Sequence, residues 1–400
     1  MALSAAAAFG LLLSWFALDP AASAASAASC SRIGTLARSA LRSGPNVAPP
    51  ADDDDRKGKP KRPATADPSA VVEGAAGQEL DEFMQSAQHF PEGFNGCVLV
   101  AKEGAVLLAK GYGVAKADPP TPMRADALWD WCSVSKQFTA AAVLKLEMQK
   151  KLKLDDPLKK FWKDAPKDKQ AITVRQLLNH TSGLPTAPEL DRAKLFDRDA
   201  TAQGILAAPV VREPGKKWEY NNAAYFLLAA LIERVSGESF EAYCRTNLFA
   251  PAGMKEAGFI GDGKADHARA PGDARGTKPP FAYGERMSWG YRGAGGALAS
   301  VFDMLAWDEA LRGDKLLSKA AKAQYYAVGL ENYALGWEMT KGAGGLRAAH
   351  SGHTGNLVTY YLRLLDERVV IAIAYSYEPK THPSITVEEL LRIARSAKGK

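Results

Sequence analysis

The sequence predicts an α/β fold of the α+β kind: an antiparallel sheet flanked by helices, with a second, mostly helical lobe beside it. Two observations carry this expectation. Strand-like hairpins lie near both ends of the folded part, "GCVLVAKEGAVLLAKGYGVA" (96–115) and "TYYLRLLDERVVIAIAYS" (359–376), while helices and loops fill the stretch between them. Hairpins pair their strands antiparallel, so the simplest arrangement joins the two ends of the domain in one sheet. A cleft between sheet and helical lobe is then the expected place for a site.

The elements follow in chain order. The N-terminal "MALSAAAAFGLLLSWFALDP" has an apolar run that ends at Asp19-Pro20. It is short for a membrane span and suits the core of a signal peptide, although no Lys or Arg precedes it. "AASAASAAS" then offers small-residue cleavage sites such as Ala22-Ser23-Ala24. Residues 1–29 are therefore expected to be a signal peptide and the protein to be exported, periplasmic or extracellular. "AASC" at Cys30 faintly resembles a lipoprotein box without its bulky aliphatic residue, which makes a lipid anchor the minority alternative. Residues 30–76 are rich in Ala, Pro, Ser and charge, and "ADDDDRKGKPKRP" (51–63) within them carries no apolar residue to pack, so the stretch reads as a disordered linker. The folded domain is expected over 77–400. It opens on "QELDEFMQSAQHF", where Leu80, Phe83, Met84 and Ala87 recur at helical spacing. The first hairpin turns at Glu103-Gly104. An apolar helix follows from about residue 133, then helices and loops to about 285, the second hairpin, and a final helix, "ITVEELLRIARSA" (385–397).

Bulk composition excludes some classes of function. The 400 residues carry a net charge of +6, with 24% charged and 46% hydrophobic side chains. No basic stripe interleaves with aromatics, so nucleic acid is not an expected partner. Of four cysteines, Cys97, Cys132 and Cys244 lie in the body, so at least one is unpaired there, and each reads as a small buried hydrophobe. No spacing suggests zinc, and no metal or cofactor is expected. HExxH and GxSxG are absent. "GFIGDGKA" (258–265) misses a phosphate-binding loop because Ala265 stands where a hydroxyl is required.

Three stretches carry candidate chemistry. In "WDWCSVSKQFTAAAVLKL" (129–146), Ser133 and Lys136 are three apart and share a helix face. Ser133 reads either as an N-cap or as a nucleophile beside free N–H groups, with a buried Lys136 as its base. Ser135 is the poorer nucleophile, since its neighbour Lys136 points elsewhere. In "WEYNNAAYFLLAALIERVSG" (218–237), Asn222 reads as an N-cap and Tyr220 as packing, or the two project into the cleft as a proton shuttle and an amide binder. In "HSGHTGN" (350–356), the choice lies between a polar Gly-rich turn and the lip of an edge strand that pairs with an extended substrate.

Together, in this order, S-x-x-K, Y-x-N and H-x-G resemble the β-lactamase-related serine hydrolases: class C β-lactamases, D-alanyl-D-alanine carboxypeptidases and their esterase relatives. "ITVRQLLNHTSGLP", "GAGGALASVFDMLAW" and "NYALGWEM" resemble the same family, from about residue 80 to the C-terminus. The resemblance implies the β-lactamase/transpeptidase-like fold. It makes Ser133 the acylated nucleophile, gives Lys136 and Tyr220 shared acid–base duty, and makes Asn222, His350, Ser351 and Gly352 substrate-binding. The backbone N–H groups of Ser133 and His353 would form the oxyanion hole. His180 would be a structural, hydrogen-bonded residue, and 264–291 a specificity loop. Lactamases of this group usually carry lysine where His350 stands, and histidine is mostly neutral at pH 7. Arg347 and Arg363 are expected to face solvent, with replacement of that charge as the alternative. The implied activity is hydrolysis through an acyl-enzyme of D-amino-acid peptides, cell-wall peptide included, or small esters. A class C-like β-lactamase, or a penicillin-binding sensor that is acylated without turnover, is the alternative. No stable protein partner is implied.

Overall fold

A computed structural model describes residues 67–86, 93–116, 119–186, 197–261, 287–342, 344–354, 357–376 and 383–397. The expected signal peptide, Cys30, the linker up to residue 66 and most of the 264–291 loop lie outside them. All described residues belong to one unit, Ala64–Lys400.

In chain order the strands are β1 (Val71–Val72), β2 (Gly96–Lys102), β3 (Ala105–Tyr112), β4 (Val114–Lys116), β5 (Thr121–Pro122), β6 (Trp129–Asp130), β7 (Gly258–Phe259), β8 (Ala297–Ala299), β9 (Glu338–Gly342), β10 (Gly345–Thr354), β11 (Leu357–Leu364) and β12 (Val369–Ser376). The helices are α1 (Gly74–Gln85), α2 (Lys136–Met148), α3 (Val174–Leu178), α4 (Arg198–Ala207), α5 (Asn222–Ser236), α6 (Phe240–Cys244), α7 (Ala250–Ala252), α8 (Val301–Arg312), α9 (Lys319–Tyr325) and α10 (Pro383–Ser396).

The main sheet is antiparallel throughout, in the order β1-β3-β2-β12-β11-β10-β9. The two expected hairpins meet where β2 pairs with β12, with Val100 opposite Ile371. The first turn falls at Glu103-Gly104, both at positive φ (52° and 84°), which suits a two-residue hairpin connection. Side chains alternate between faces. Val98, Val100, Ile371 and Ile373 pack on Leu80 and Met84 of α1 and on Leu390 and Leu391 of α10. Cys97, Leu99, Ala372 and Ala374 face the other way, into the core shared with the helical lobe.

The fold begins earlier than residue 77. Val71 and Val72 pair with Ala109 and Leu108 at the sheet edge, and α1 starts at Gly74. Two valines in a polar stretch are too short a run to show periodicity, so composition alone placed them in the linker. All three body cysteines are free and buried.

Helix α2 is buried on every side, from Lys136 through Leu144. It therefore runs through the lobe instead of over it. Helix α5 packs beside it and has marked ends: the Asn221 side chain accepts from Ala224 N (3.0 Å), and Gly237 closes the helix at φ 80°. The cap is thus Asn221, not Asn222, which is exposed in the first turn. With adjacent asparagines, spacing alone does not choose the cap.

Candidate active site

The nucleophile candidate sits in a tight 3₁₀ turn, Cys132–Ser135, that runs into α2. Ser133 is not an N-cap, since neither this turn nor α2 has a side-chain cap at its start. Cys132 before it adopts φ 45°, a left-handed conformation uncommon outside glycine. Asp130 holds that shape: its Oδ1 accepts from Cys132 N (2.8 Å) and Gly296 N (3.1 Å), and its Oδ2 accepts from the Tyr291 hydroxyl (2.8 Å). Burial pushes the Asp130 carboxyl up to about 6, and the three donors resist that rise. The turn's first backbone bond runs from Val134 N to Trp131 O (2.9 Å), so the Ser133 N–H lies ahead of the ladder. Ser135 is buried, and its Oγ accepts from Ala297 N (3.2 Å), a structural use of the hydroxyl.

Lys136 Nζ lies 3.0 Å from Ser133 Oγ and donates to the Ala294 carbonyl at 2.9 Å. The amine is fully buried, 4.8 Å from the centroid of the Tyr220 ring, with no carboxylate bonded to it among the described residues. Desolvation holds its pKa well below the usual ammonium range. A neutral amine keeps a lone pair, and Ser133 Oγ is within its reach. Tyr220 shares a side-chain hydrogen bond with Ser133, but burial dominates and drives its pKa upward, so it remains a phenol. One buried group is therefore poised to accept a proton and its neighbour to donate one.

His350 and Gly352 are not in a turn; both lie within β10. The backbone bond from Leu365 N to Leu346 O fixes which residues bond to β11. Pairs alternate along an antiparallel ladder, so the even-numbered residues of β10 bond to β11, and Ser351 and His353 turn their backbone groups to the other side. Strand β9 covers that side only as far as Ala349, opposite Glu338. Ser351 and His353 thus present backbone groups along an edge that is open among the described residues, although β10 is an interior strand of the sheet. Gly352 lets this edge approach the nucleophile turn: a Cβ there would lie 2.8 Å from both Cys132 Cβ and Trp131 O.

His350 is buried. Its Nδ1 donates to the Ser351 carbonyl (2.6 Å), and its Nε2 accepts from the Tyr333 hydroxyl (3.0 Å). Burial and the nearby Lys136 lower its pKa to about 3, so the ring is neutral and turned inward. His180 behaves alike: Nδ1 accepts from Asn221 N (3.1 Å), and the ring packs 4.4 Å from Tyr220 and 4.7 Å from Tyr333. Its Nε2 has no partner among the described residues, so His180 is only half satisfied.

The arginines do not face solvent as free cations. Arg363 is buried, with Nε 2.5 Å from Asp308 Oδ1, and it also bonds Tyr326. Arg347 reaches Glu388 (2.6 Å) and the Tyr360 hydroxyl (2.8 Å). Strand register decides this: residues of β10 and β11 alternate between sheet faces, and both faces are covered by helices.

The structure therefore brings Ser133, Lys136, Tyr220 and the β10 edge together, and leaves Asn222 exposed on α5 beside Tyr220. Sequence reasoning missed Asp130, the Ala294 carbonyl, Tyr333 and Glu338. Two of these left a signal, an acid inside an apolar run: "WDWC" and "LGWEM".

Comparison with known proteins agrees with the fold. The family model described as Beta-lactamase matches residues 80–394. Penicillin-binding protein 4* of Bacillus subtilis (strain 168) is 28% identical over 319 residues, 72% of this chain and 69% of that protein. D-aminopeptidase of Brucella anthropi is 30% identical over 315 residues, 75% of this chain and 59% of that protein. The D-amino acid amidase of Ochrobactrum anthropi SV3 superposes with a TM-score of 0.67 at 20% identity, covering 80% of this chain and all of that one, a likeness of fold.

Proposed function

The chain belongs to the Beta-lactamase family, and from that premise we propose that it is a serine hydrolase cleaving amide or ester bonds through an acyl-enzyme. The observation that carries the reading is the buried Lys136 amine 3.0 Å from Ser133 Oγ. Ser133 Oγ attacks the carbonyl carbon as Lys136 Nζ takes its proton. The tetrahedral oxyanion is held by the N–H groups of Ser133 and His353, one from the nucleophile turn and one from the open edge of β10. Tyr220 relays a proton to the leaving group, the C–N or C–O bond breaks, and the acyl group stays on Ser133. Water then attacks the ester with the same groups acting in reverse, releasing acid and free enzyme. Asn222, at the mouth beside Tyr220, orients the substrate, and an extended acyl chain pairs with the β10 edge.

Small amides and esters, including D-amino-acid derivatives, suit this site better than β-lactams. A β-lactam presents a carboxylate, and the neutral His350 supplies no charge to meet it. The protein acts as an exported enzyme, on the sequence of residues 1–29.

Intact-mass analysis with a fluorophosphonate and a nitrophenyl ester tests the proposal. Wild type gains one adduct and turns the ester over, and Ser133→Ala does neither. An adduct that persists in Ser133→Ala, or ester turnover equal in both proteins, removes Ser133 from the mechanism.

A further inference from the structure

Glu338 is the first residue of β9 and stands at the last paired position before the β10 edge opens, opposite Ala349. Its side chain shares a sheet face with those of Arg347, Ala349 and Ser351. Arg347 and Ser351 are its diagonal neighbours, at about 7–8 Å. Ser351 belongs to the open edge. Arg347 is the cation placed to neutralise Glu338, yet its guanidinium is turned away, to Glu388 at 2.6 Å and the Tyr360 hydroxyl at 2.8 Å. Among the described residues the Glu338 side chain makes no hydrogen bond and no ion pair, and Arg347 acts on it only through its field.

The other charges near this edge are engaged or neutral. His350 is a buried neutral ring bonded to Ser351 and Tyr333. Lys136 lies inward against Ser133 and Ala294. Arg363 is paired with Asp308. The Glu338 carboxyl, which Arg347 offsets only at a distance, therefore lies beside the Ser351 edge. Its field reaches the acid–base groups, since it contributes to the upward shift of the Tyr220 and Tyr333 hydroxyls.

We propose that Glu338 forms a cation subsite beside the Ser351 edge, selecting substrates with an ammonium group near the scissile carbonyl and disfavouring those with a carboxylate there. This rests on the acyl-enzyme reading above and narrows its substrate class to amino-acid amides and esters with a free amine, or peptides with a free N-terminus.

The test compares D-alanine p-nitroanilide with its N-acetyl and N-succinyl derivatives, a cation, a neutral group and an anion on one acyl unit. Wild type, Glu338→Gln and Glu338→Ala are assayed, with thermal melts to show that the variants fold. The subsite predicts that both variants lose about tenfold in kcat/KM on the free amine, stay within about twofold on the acetyl form and gain on the succinyl form. An unchanged ratio among the three substrates, or an equal loss on all of them, overturns it while leaving the acyl-enzyme reading intact. If wild type hydrolyses none of the three, nor a simple nitrophenyl ester, the acyl-enzyme reading itself fails and takes the subsite with it.

Discussion

At the scale of single residues, the chemistry depends on where Lys136 keeps its proton. Its amine is desolvated on a helix buried all round, and its two polar contacts are a hydroxyl and a carbonyl. Desolvation outweighs these acceptors and favours the neutral form, which is the form a base needs. Acylation is therefore expected to fall as pH drops through this lowered pKa, since protonation removes the lone pair. His350 adds no step near 6.5, because its own pKa lies at about 3. Lys136→Ala should slow acylation by about 10²–10⁴-fold and flatten the profile; stopped-flow acylation rates from pH 5 to 10 measure both. Retention of the full profile by that variant would assign the base elsewhere. The pairing of Ser133 with Lys136 was legible from three-residue spacing, but the desolvation was not, because the groups that bury the amine come from α5 and from the loop before β8. Asp130 shows the same limit. Its two backbone contacts, at Cys132 and Gly296, are 164 residues apart in sequence.

At the scale of elements, the junction between β11 and α8 is held by charge inside the core. Arg363 of β11 and Asp308 of α8 are both buried, and Arg312 one turn along α8 also reaches Asp308 (2.7 Å). A buried pair costs desolvation to form, but losing one partner leaves an unpaired charge. Arg363→Ala is expected to destabilise by about 3–5 kcal/mol, and replacing both Arg363 and Asp308 with leucine and methionine to cost far less. Urea melts of the single and double variants check this; a single variant as stable as wild type would show that the pair contributes nothing. The sequence reading left Arg363 at the surface because it sits in an alternating strand, "YYLRLL", where a charge usually faces water. That reading holds for a sheet with one open face, and this sheet has helices on both. The H-x-G stretch shows the reverse. Its choice between turn and strand was open in the sequence, and the neighbouring strands settled it by register.

At the scale of the whole molecule, the buried Glu338, which Arg347 offsets only in part, has a cost that depends on pH. Its folded pKa, pushed up to about 7 by burial, exceeds its ordinary value of 4.5. The folded state therefore holds its proton more tightly than the unfolded state. The stabilising contribution is complete below about 4.5 and is lost as pH rises through about 7. Glu338→Gln should raise stability at pH 8 by about 1–2 kcal/mol, discounted for partial solvent access, and change little at pH 4. Thermal melts at the two pH values measure this, and equal shifts at both would show the carboxylate to be unstrained.

By itself, the sequence determined the antiparallel sheet built from both chain ends, the central buried helix and the order of the three motifs. Periodicity and spacing are local properties, and side-chain sequence encodes them directly. The tertiary structure alone decided the charge states. Burial comes from residues distant in the chain, so it neutralised Lys136 and His350, engaged Arg347 and Arg363, and pushed the Glu338 carboxyl up to about 7. The candidate nucleophile was marked in the sequence by three-residue spacing together with two further motifs, whereas the charge state of the groups around it was set by which side chains fold over them.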